Sequence, residues 1–303
     1  MAILKKTLTV LLLSSFVLST VIGCNSTRVS TATISNTTSQ SVLSKSVKSD
    51  WFSSLKADTQ TYYKPAEGKT GEALFDELHT IISKYKNISS YKESKGFMYS
   101  TVDNITLNGA TGIMDAYSQV FIPGNGTNGD LYKENGDQNK DGKAGDFINC
   151  EHVWPQSFFK EKLPMVGDIH HLESTLSYPN NQRNNHPFGM VTGTVDYTTS
   201  SGSKLGGGVF EPNDANKGNT ARAMLYFYVR YYNADIRNGG FNQNEYWTSK
   251  VPMFLEWNKK DLPDANEMKR NDLVYQKQGN RNPFIDAPEL ADLIGEKVLE
   301  TKK

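Results

Sequence analysis

Apolar residues recur at helical spacing in four stretches of the chain. Residues 69–85 carry them every three or four positions, at Leu74, Leu78, Ile81, Ile82 and Tyr85, which is typical of a core helix. Residues 220–232 have a broad apolar face around Arg222 and Arg230 and predict a buried helix. Residues 251–257 and 287–300 predict two more helices, the second of them amphipathic.

Other stretches favour extended structure. The segments 96–100 (GFMYS), 104–107 (NITL) and 116–122 (AYSQVFI) are rich in β-branched and aromatic residues, and we predict strands there. Residues 191–208 are rich in Gly, Ser and Thr and predict a surface loop. The chain shows no internal repeat. Because it combines predicted helices with predicted strands, the expected fold class is α+β.

Length and charge narrow the function. A chain of 303 residues with 37% hydrophobic residues can form a packed core in one large or two ordinary domains. Its 33 basic and 33 acidic side chains give a formal net charge of zero, whereas nucleic-acid binders normally have a basic footprint. Neutrality argues against a tight, sequence-reading binder more than against an enzyme that needs a local basic cleft and quick release.

The N-terminal residues predict export. Lys5 and Lys6 precede an apolar run at 8–22, and VIGC at 21–24 resembles the lipobox of bacterial lipoproteins, so residues 1–24 are interpreted as a lipoprotein signal peptide with lipid attachment at Cys24. An ordinary secretory signal or a membrane anchor is the alternative, although the run is short for a spanning helix. Residues 25–50, rich in Ser and Thr, predict a flexible tether, which leaves 51–303 as the catalytic domain. With Cys24 acylated, Cys150 would be the only cysteine left and no intramolecular disulfide could form.

A second local pattern suggests a structural ion. Asp137, Asn139 and Asp141, followed by Gly142, match the opening of an EF-hand calcium loop, which uses oxygen ligands at its first, third and fifth positions. The closing Glu is missing, because the twelfth position is Ile148. Asp, Asn and Gly also simply form turns, so structural Ca²⁺ and a plain turn are both open.

Residues 149–189 contain four of the five histidines, His152, His170, His171 and His186. Histidine titrates near neutral pH and serves as a base or metal ligand, so this clustering points to a chemical site, whereas the lone His79 does not. The segment predicts strands at 147–154 and 168–172, then a helix that starts at Pro179 and ends before His186-Pro187. Such a unit is compact enough to hold one divalent ion.

The same segment resembles the bacterial endonuclease I family of ββα-metal, or His-Me finger, nucleases. The matching stretches are EHVWPQS at 151–157, DIHHL at 168–172, NxxRxN at 180–185 and PFG at 187–189. Later matches are FEP at 210–212, KG at 217–218, AR at 221–222 and QGNRNPFID at 278–286. The resemblance covers 71–294 and implies a ββα-metal unit embedded in a mixed helix and strand domain.

The resemblance implies the roles of the site residues. His152 would activate a water as general base, while Glu151 and Asn180 would hold Mg²⁺, with Mn²⁺ or Ca²⁺ as alternatives. A hard cation with oxygen ligands neutralises phosphate charge, and a near-neutral base deprotonates the nucleophile.

The chain departs from the family at one basic residue. Some relatives place an arginine between the base and the second strand to stabilise the leaving group, and this chain has only Lys160 and Lys162 there. Arg183 or a later arginine is expected to replace it. Arg222 resembles a family arginine near the site, with a helix-surface charge as the alternative, and the polar loop 280–284 is expected to face the cleft.

The sequence leaves two other functions as alternatives. A zinc site would use His and Glu ligands, but HExxH is absent and Cys150 has no partner at zinc spacing. A catalytically inactive surface lipoprotein that binds a ligand or calcium is the other alternative. The favoured function is metal-dependent, largely sequence-nonspecific hydrolysis of DNA by an exported enzyme, with RNA as a second candidate substrate. It would contact its substrate through phosphates and would be membrane-anchored or extracellular.

Overall fold

Helices alternate with short antiparallel strands in a computed structural model that describes residues 50–84, 90–124 and 147–303. The helices of this part are α1 (Trp51–Ser54), α2 (Ala57–Tyr63), α3 (Gly71–Ser83), α4 (Tyr91–Phe97), α5 (Ser177–Arg183), α6 (Lys217–Tyr231), α7 (Gln243–Tyr246), α8 (Val251–Lys260), α9 (Ala265–Gln278), α10 (Pro283–Asp286), α11 (Leu290–Ile294) and α12 (Glu296–Thr301). Helices and strands share one unit, Ser49–Lys303, which confirms the α+β class.

The strands form three small sheets. They are β1 (Asn104–Leu107), β2 (Ala110–Met114) and β3 (Phe121–Pro123) in the first, β4 (Ile148–His152) and β5 (Leu172–Leu176) in the second, and β6 (Tyr197–Thr198), β7 (Lys204–Gly206) and β8 (Val209–Glu211) in the third. All neighbouring strands are antiparallel. A π-helical turn, Met98–Val102, continues α4.

The core surrounds α6. Every residue from 220 to 231 is buried, and α6 packs against α3 and α8. Trp154, just after β4, stacks on Phe227 of α6 with ring centroids 5.1 Å apart. The predicted buried helix is therefore confirmed, and its aromatic residues fix the end of β4 against the core.

The strands β4 and β5 and the helix α5 form a strand–strand–helix unit. In the antiparallel register, Glu151 lies opposite Glu173 and His152 opposite Leu172. The helix α5 follows β5 directly and contacts both strands. Directly opposed residues project from the same face of a strand pair, so Glu151 and Glu173 share one face of this hairpin.

Two local predictions in this unit were wrong. Residues 168–172 do not form a strand, because Ile169–His171 is a 3-10 turn that Asp168 caps by accepting a hydrogen bond from the His170 amide at 3.2 Å. The strand β5 begins only at Leu172. The helix α5 begins at Ser177 instead of Pro179, and proline is tolerated there because amides in the first turn have no helical partner.

Elsewhere the predicted helices 69–85, 220–232 and 251–257 and the strand 104–107 are confirmed. The prediction of a strand at 96–100 was wrong, since those residues lie in α4 and the π-helical turn. Of the strand predicted at 116–122, only the end is extended, in Phe121–Pro123. The loop at 191–208 contains β6 and β7. The predicted helix 287–300 is divided into α11 and α12 at Gly295, whose φ of 89° is left-handed.

Three predictions lie outside the described residues: the signal peptide 1–24, nearly all of the tether 25–50, and the calcium loop with Asp137, Asn139 and Asp141. They stay predictions. Across 50–84, 90–124 and 147–303, no helix is long and apolar enough to cross a membrane.

Candidate active site

Glu151 is a buried carboxylate at the end of β4, with 3% of its surface exposed. Its Oε1 accepts a hydrogen bond from the Tyr117 hydroxyl at 2.9 Å and forms an ion pair with Arg183 Nη1, also at 2.9 Å. Burial raises the pKa of Glu151, while Arg183 and the Tyr117 hydroxyl oppose that rise. The carboxylate is thus held in one orientation by two donors.

Arg183 joins α5 to β4. Its Nη1 donates to the carbonyl of His152 at 3.1 Å and its Nη2 to that of Val153 at 2.8 Å. The guanidinium carbon also lies 4.5 Å from the centre of the Phe188 ring, and the side chain is 2% exposed. These contacts fit a positioning role for Arg183; its predicted catalytic role stays a prediction.

His152 is held as a neutral imidazole with a defined tautomer. Its Nε2 lies 3.1 Å from the carbonyl oxygen of Val166, and a carbonyl only accepts, so Nε2 carries the proton and Nδ1 keeps its lone pair. Burial lowers the pKa of His152 to about 3. The ring is 5% exposed and lies against Tyr91 at 5.2 Å between centroids. His152 follows Glu151 in β4 and keeps Nδ1 as a hydrogen-bond acceptor; its role as a base stays a prediction.

The other histidines of the segment have structural contacts. Nε2 of His170 bonds to the Asn280 carbonyl at 2.9 Å and Nε2 of His171 to that of Met165 at 2.7 Å. In both rings Nδ1 is buried without a partner, and burial lowers the pKa to about 3 for His170 and about 4 for His171. His186 is half-buried near Gly208. The clustering of the four histidines in the sequence had suggested one chemical site. In the structure, the Nε2 atoms of His170 and His171 instead bond to backbone carbonyls.

Glu151 and Asn180 are the residues predicted to hold a metal ion, and both offer oxygen donors of the kind that Mg²⁺ prefers. Asn180 lies on α5, half-buried, and its side chain forms no hydrogen bond to another described residue. Glu151 uses Oε1 for both of its partners, which leaves Oε2 available. One carboxylate and one amide oxygen suit Mg²⁺, which keeps several waters and shares substrate phosphate oxygens. Among the described residues, no group of three or more His, Cys, Asp or Glu is placed to hold a metal ion.

Comparison with known proteins decides the family. The Endonuclease I family matches residues 70–289. The chain belongs to that family. An extracellular ribonuclease of Bacillus subtilis (strain 168) is 37% identical over 251 residues, covering 78% of this chain and 79% of the relative. That of Bacillus amyloliquefaciens is 34% identical over 247 residues, with the same coverage. Endonuclease-1 of Buchnera aphidicola subsp. Baizongia pistaciae (strain Bp) is 26% identical over 150 residues, 47% of this chain and 53% of the relative.

Tyr117 supports the site of this endonuclease I family member and was missed in the sequence. It is fully buried, and its own carbonyl accepts hydrogen bonds from Thr199, Ser201 and Ser203 at 3.0, 2.9 and 2.6 Å. The Ser/Thr-rich segment predicted as a surface loop thus anchors the residue that orients Glu151. No local signal marks Tyr117, because 34 positions separate it from Glu151.

A buried network around Asp168 fixes the connection between β4 and β5. Asp168 Oδ2 accepts hydrogen bonds from Arg230, Tyr226 and Tyr231 at 2.5, 2.8 and 2.9 Å. Burial alone would raise the pKa of Asp168, but Arg230 beside it holds the pKa well below its usual range. The network ties the 3-10 turn before β5 to α6, so Asp168 is part of the nuclease scaffold.

Two other predicted features are also scaffold. Arg222 is fully buried and pairs with Glu267 at 2.5 and 2.7 Å, so its interpretation as a helix-surface charge was wrong. Asn280 and Asn282 are likewise fully buried, and Asn282 donates to the Arg222 carbonyl at 3.0 Å. The loop 280–284 therefore braces the interior of the nuclease instead of presenting an exposed polar surface.

Glu173, opposite Glu151, lines a cavity of about 270 Å³. Asn216 Nδ2 donates to its carboxylate at 3.1 Å, and burial raises its pKa to about 7. Two carboxylates on adjacent strands repel when both are ionised. Burial, and then the charge of Glu151 across the strand pair, therefore both disfavour the ionised form of Glu173.

Proposed function

We propose that this nuclease hydrolyses internal phosphodiester bonds of DNA and RNA with little sequence preference and with the help of a divalent cation. The proposal rests on two consecutive residues at the end of β4: Glu151, whose carboxylate is oriented by the Tyr117 hydroxyl, and His152, whose imidazole keeps a free Nδ1. The names of the relatives, two ribonucleases and one endonuclease, support both substrate classes. The order β4, β5, α5 also supports a ββα-metal unit.

His152 acts as the general base. Its Nδ1 takes the proton of the attacking water, and the Val166 carbonyl then stabilises the imidazolium through the Nε2 proton. The low pKa of the substrate-free ring, about 3, keeps it unprotonated at neutral pH. A bound phosphodiester brings negative charge near the ring and raises the pKa toward the range where a base works best.

Glu151 and Asn180 would hold the cation, which is Mg²⁺ or, as alternatives, Mn²⁺ or Ca²⁺. When bound, it neutralises charge developing on the phosphate oxygens. Arg183 keeps the Glu151 carboxylate and the backbone at His152 and Val153 in register with α5. The carboxylate and the base thereby keep a fixed relation to the helix that carries Asn180.

Recognition rests on the phosphates, which position a protein without specifying sequence. A chain with zero net charge attracts nucleic acid weakly at long range. That property is compatible with rapid release after each cleavage.

A digestion panel tests the proposal. Supercoiled plasmid, single-stranded DNA and RNA are incubated with the processed chain in EDTA and then with Mg²⁺, Mn²⁺ or Ca²⁺. We expect cleavage only with a cation. His152→Ala should lower the rate on the order of a hundred- to ten-thousand-fold at a temperature where the variant is still folded, since loss of the buried ring and of its hydrogen bond to Val166 also lowers the melting temperature. His186→Ala, at a half-buried histidine, should keep the wild-type rate.

Near-full activity in His152→Ala would remove His152 as the base. Absence of cleavage under every condition would favour the alternative of an inactive ligand-binding lipoprotein.

A further inference from the structure

Tyr178 is a large aromatic side chain that the fold leaves in solvent, with 55% of its surface exposed. It is the second residue of α5, two positions before Asn180. A single exposed aromatic residue is common on protein surfaces, so exposure alone means little. Its location on the helix of the candidate active site distinguishes it.

The ring of Tyr178 is supported from one side. Tyr197 of β6 meets it edge to face, with centroids 5.5 Å apart and planes at 85°. Tyr197 is partly buried and packs against the main core, so it offers a fixed surface. An edge-to-face contact restricts the ring while leaving apolar ring surface available to a ligand.

We propose that Tyr178 is a stacking platform for an unpaired nucleobase of the strand bound at the candidate active site, so that the nuclease favours single-stranded substrate. This inference rests on the proposed function. Residues two positions apart on a helix are roughly 200° apart around its axis. Tyr178 and Asn180 therefore project from different faces of α5, and the base on Tyr178 belongs to a nucleotide further along the strand than the one at Asn180.

The charge of the chain makes such a contact useful. With 33 basic and 33 acidic side chains, the nuclease cannot draw its affinity from a large excess of positive charge. Stacking on an aromatic ring is independent of sequence, because every base has a π-face, and it amounts to roughly 5- to 150-fold in Kd per base. In a duplex the faces of a base are already stacked, so the gain is restricted to single strands.

The test measures binding by fluorescence anisotropy of labelled oligonucleotides in Mg²⁺, with His152→Ala in every variant to prevent cleavage. Tyr178→Ala should raise the Kd for single-stranded RNA and DNA by roughly 5- to 150-fold and leave duplex binding unchanged. Tyr178→Phe and Tyr178→Trp should retain affinity. Melting temperatures confirm that each variant is folded.

The chain offers a matched control in Tyr275. It is 39% exposed and also meets a partly buried tyrosine, Tyr62, edge to face at 5.5 Å, but it lies on α9, outside the candidate active site. Tyr275→Ala should leave all affinities unchanged. A scan of abasic positions identifies the stacked base, because removing that base should cancel the effect of Tyr178→Ala.

Unchanged single-strand binding in Tyr178→Ala overturns the inference, as does an equal loss on duplex or an effect that persists at every abasic position. If Tyr178→Ala, with His152 intact, cleaves single-stranded substrate at wild-type efficiency, the stacking role of Tyr178 is refuted and the nuclease proposal stands. If the wild type neither binds nor cleaves nucleic acid, both proposals fail.

Discussion

At the scale of single residues, the candidate site depends on keeping one carboxylate ionised in the interior. A buried charge is costly unless it is paired and hydrogen-bonded, and Glu151 has both an arginine and a tyrosine hydroxyl on the same oxygen. Both contacts use Oε1, so they stabilise the charge without occupying Oε2. The arrangement is suited to a carboxylate that has a further cation to bind.

Tyr117→Phe tests this arrangement. The variant removes only the hydroxyl, and we expect it to lower the free energy of unfolding in EDTA by roughly 1.5–3 kcal/mol, because a hydrogen bond to a charged group is lost. The carboxylate also loses orientation and a donor that favours its charged form. The Mg²⁺ concentration for half-maximal activity should therefore rise.

Tyr63→Phe is the control for that measurement. Tyr63 is also fully buried and donates to a carboxylate, that of Asp286, at 2.8 Å. This control should lose stability while keeping the wild-type Mg²⁺ requirement. Equal Mg²⁺ requirements in Tyr117→Phe and the wild type would show that the hydroxyl is structural only.

At the scale of elements, those that depend on the local sequence pattern could be predicted, and those that depend on long-range contacts could not. The helices α3, α6 and α8 follow from apolar periodicity because each buries a continuous face. The strand assigned to DIHHL failed, since a side-chain cap from Asp168 and carbonyl bonds to both histidines favour a 3-10 turn. Glu151, His152 and Asn180 came from motif resemblance, but Tyr117 and Tyr178 depend on contacts that no local pattern contains.

The buried histidines make this turn sensitive to acid. His170 and His171 have folded pKa values of about 3 and about 4, below the value of about 6.5 for an unfolded chain. The unfolded state therefore binds protons first as pH falls. Their stabilisation is complete above about pH 6.5 and is lost progressively as pH falls to the folded values.

We therefore expect the free energy of unfolding to fall by roughly 2 kcal/mol per buried histidine between pH 7 and pH 5. Urea titrations across this range measure the slope. His171→Asn should flatten it, whereas His186→Asn should not. A slope unchanged in His171→Asn would mean that this ring does not titrate on unfolding.

At the scale of the whole molecule, buried polar contacts connect the strands β4 and β5 with the helices and loops packed around them. The Asp168 network joins the connection between β4 and β5 to α6, and the Arg222–Glu267 pair joins α6 to α9. The loop 280–284 contacts both His170 before β5 and Arg222 of α6. Asp168, Arg222 and the loop 280–284 lie in stretches that resemble the family, as the candidate site does. Motif resemblance alone could not distinguish scaffold residues from catalytic residues, because buried polar networks and catalytic groups use the same residue types.

The N-terminal residues bear on where the nuclease works. We propose that the chain is exported and acylated at Cys24, since Lys5, Lys6 and the apolar run at 8–22 precede that cysteine. The relatives named extracellular ribonuclease support export. A flexible tether of about 25 residues has an r.m.s. reach of roughly 25 to 30 Å, which would keep the catalytic domain near the membrane and away from the cell's own genome. Cys24→Ser should release the protein from the membrane fraction, or leave it as an unprocessed precursor, without changing the specific activity of the purified enzyme. Wild-type protein found mainly in the medium, with no acyl mass on Cys24, would refute the anchor and leave the nuclease assignment intact.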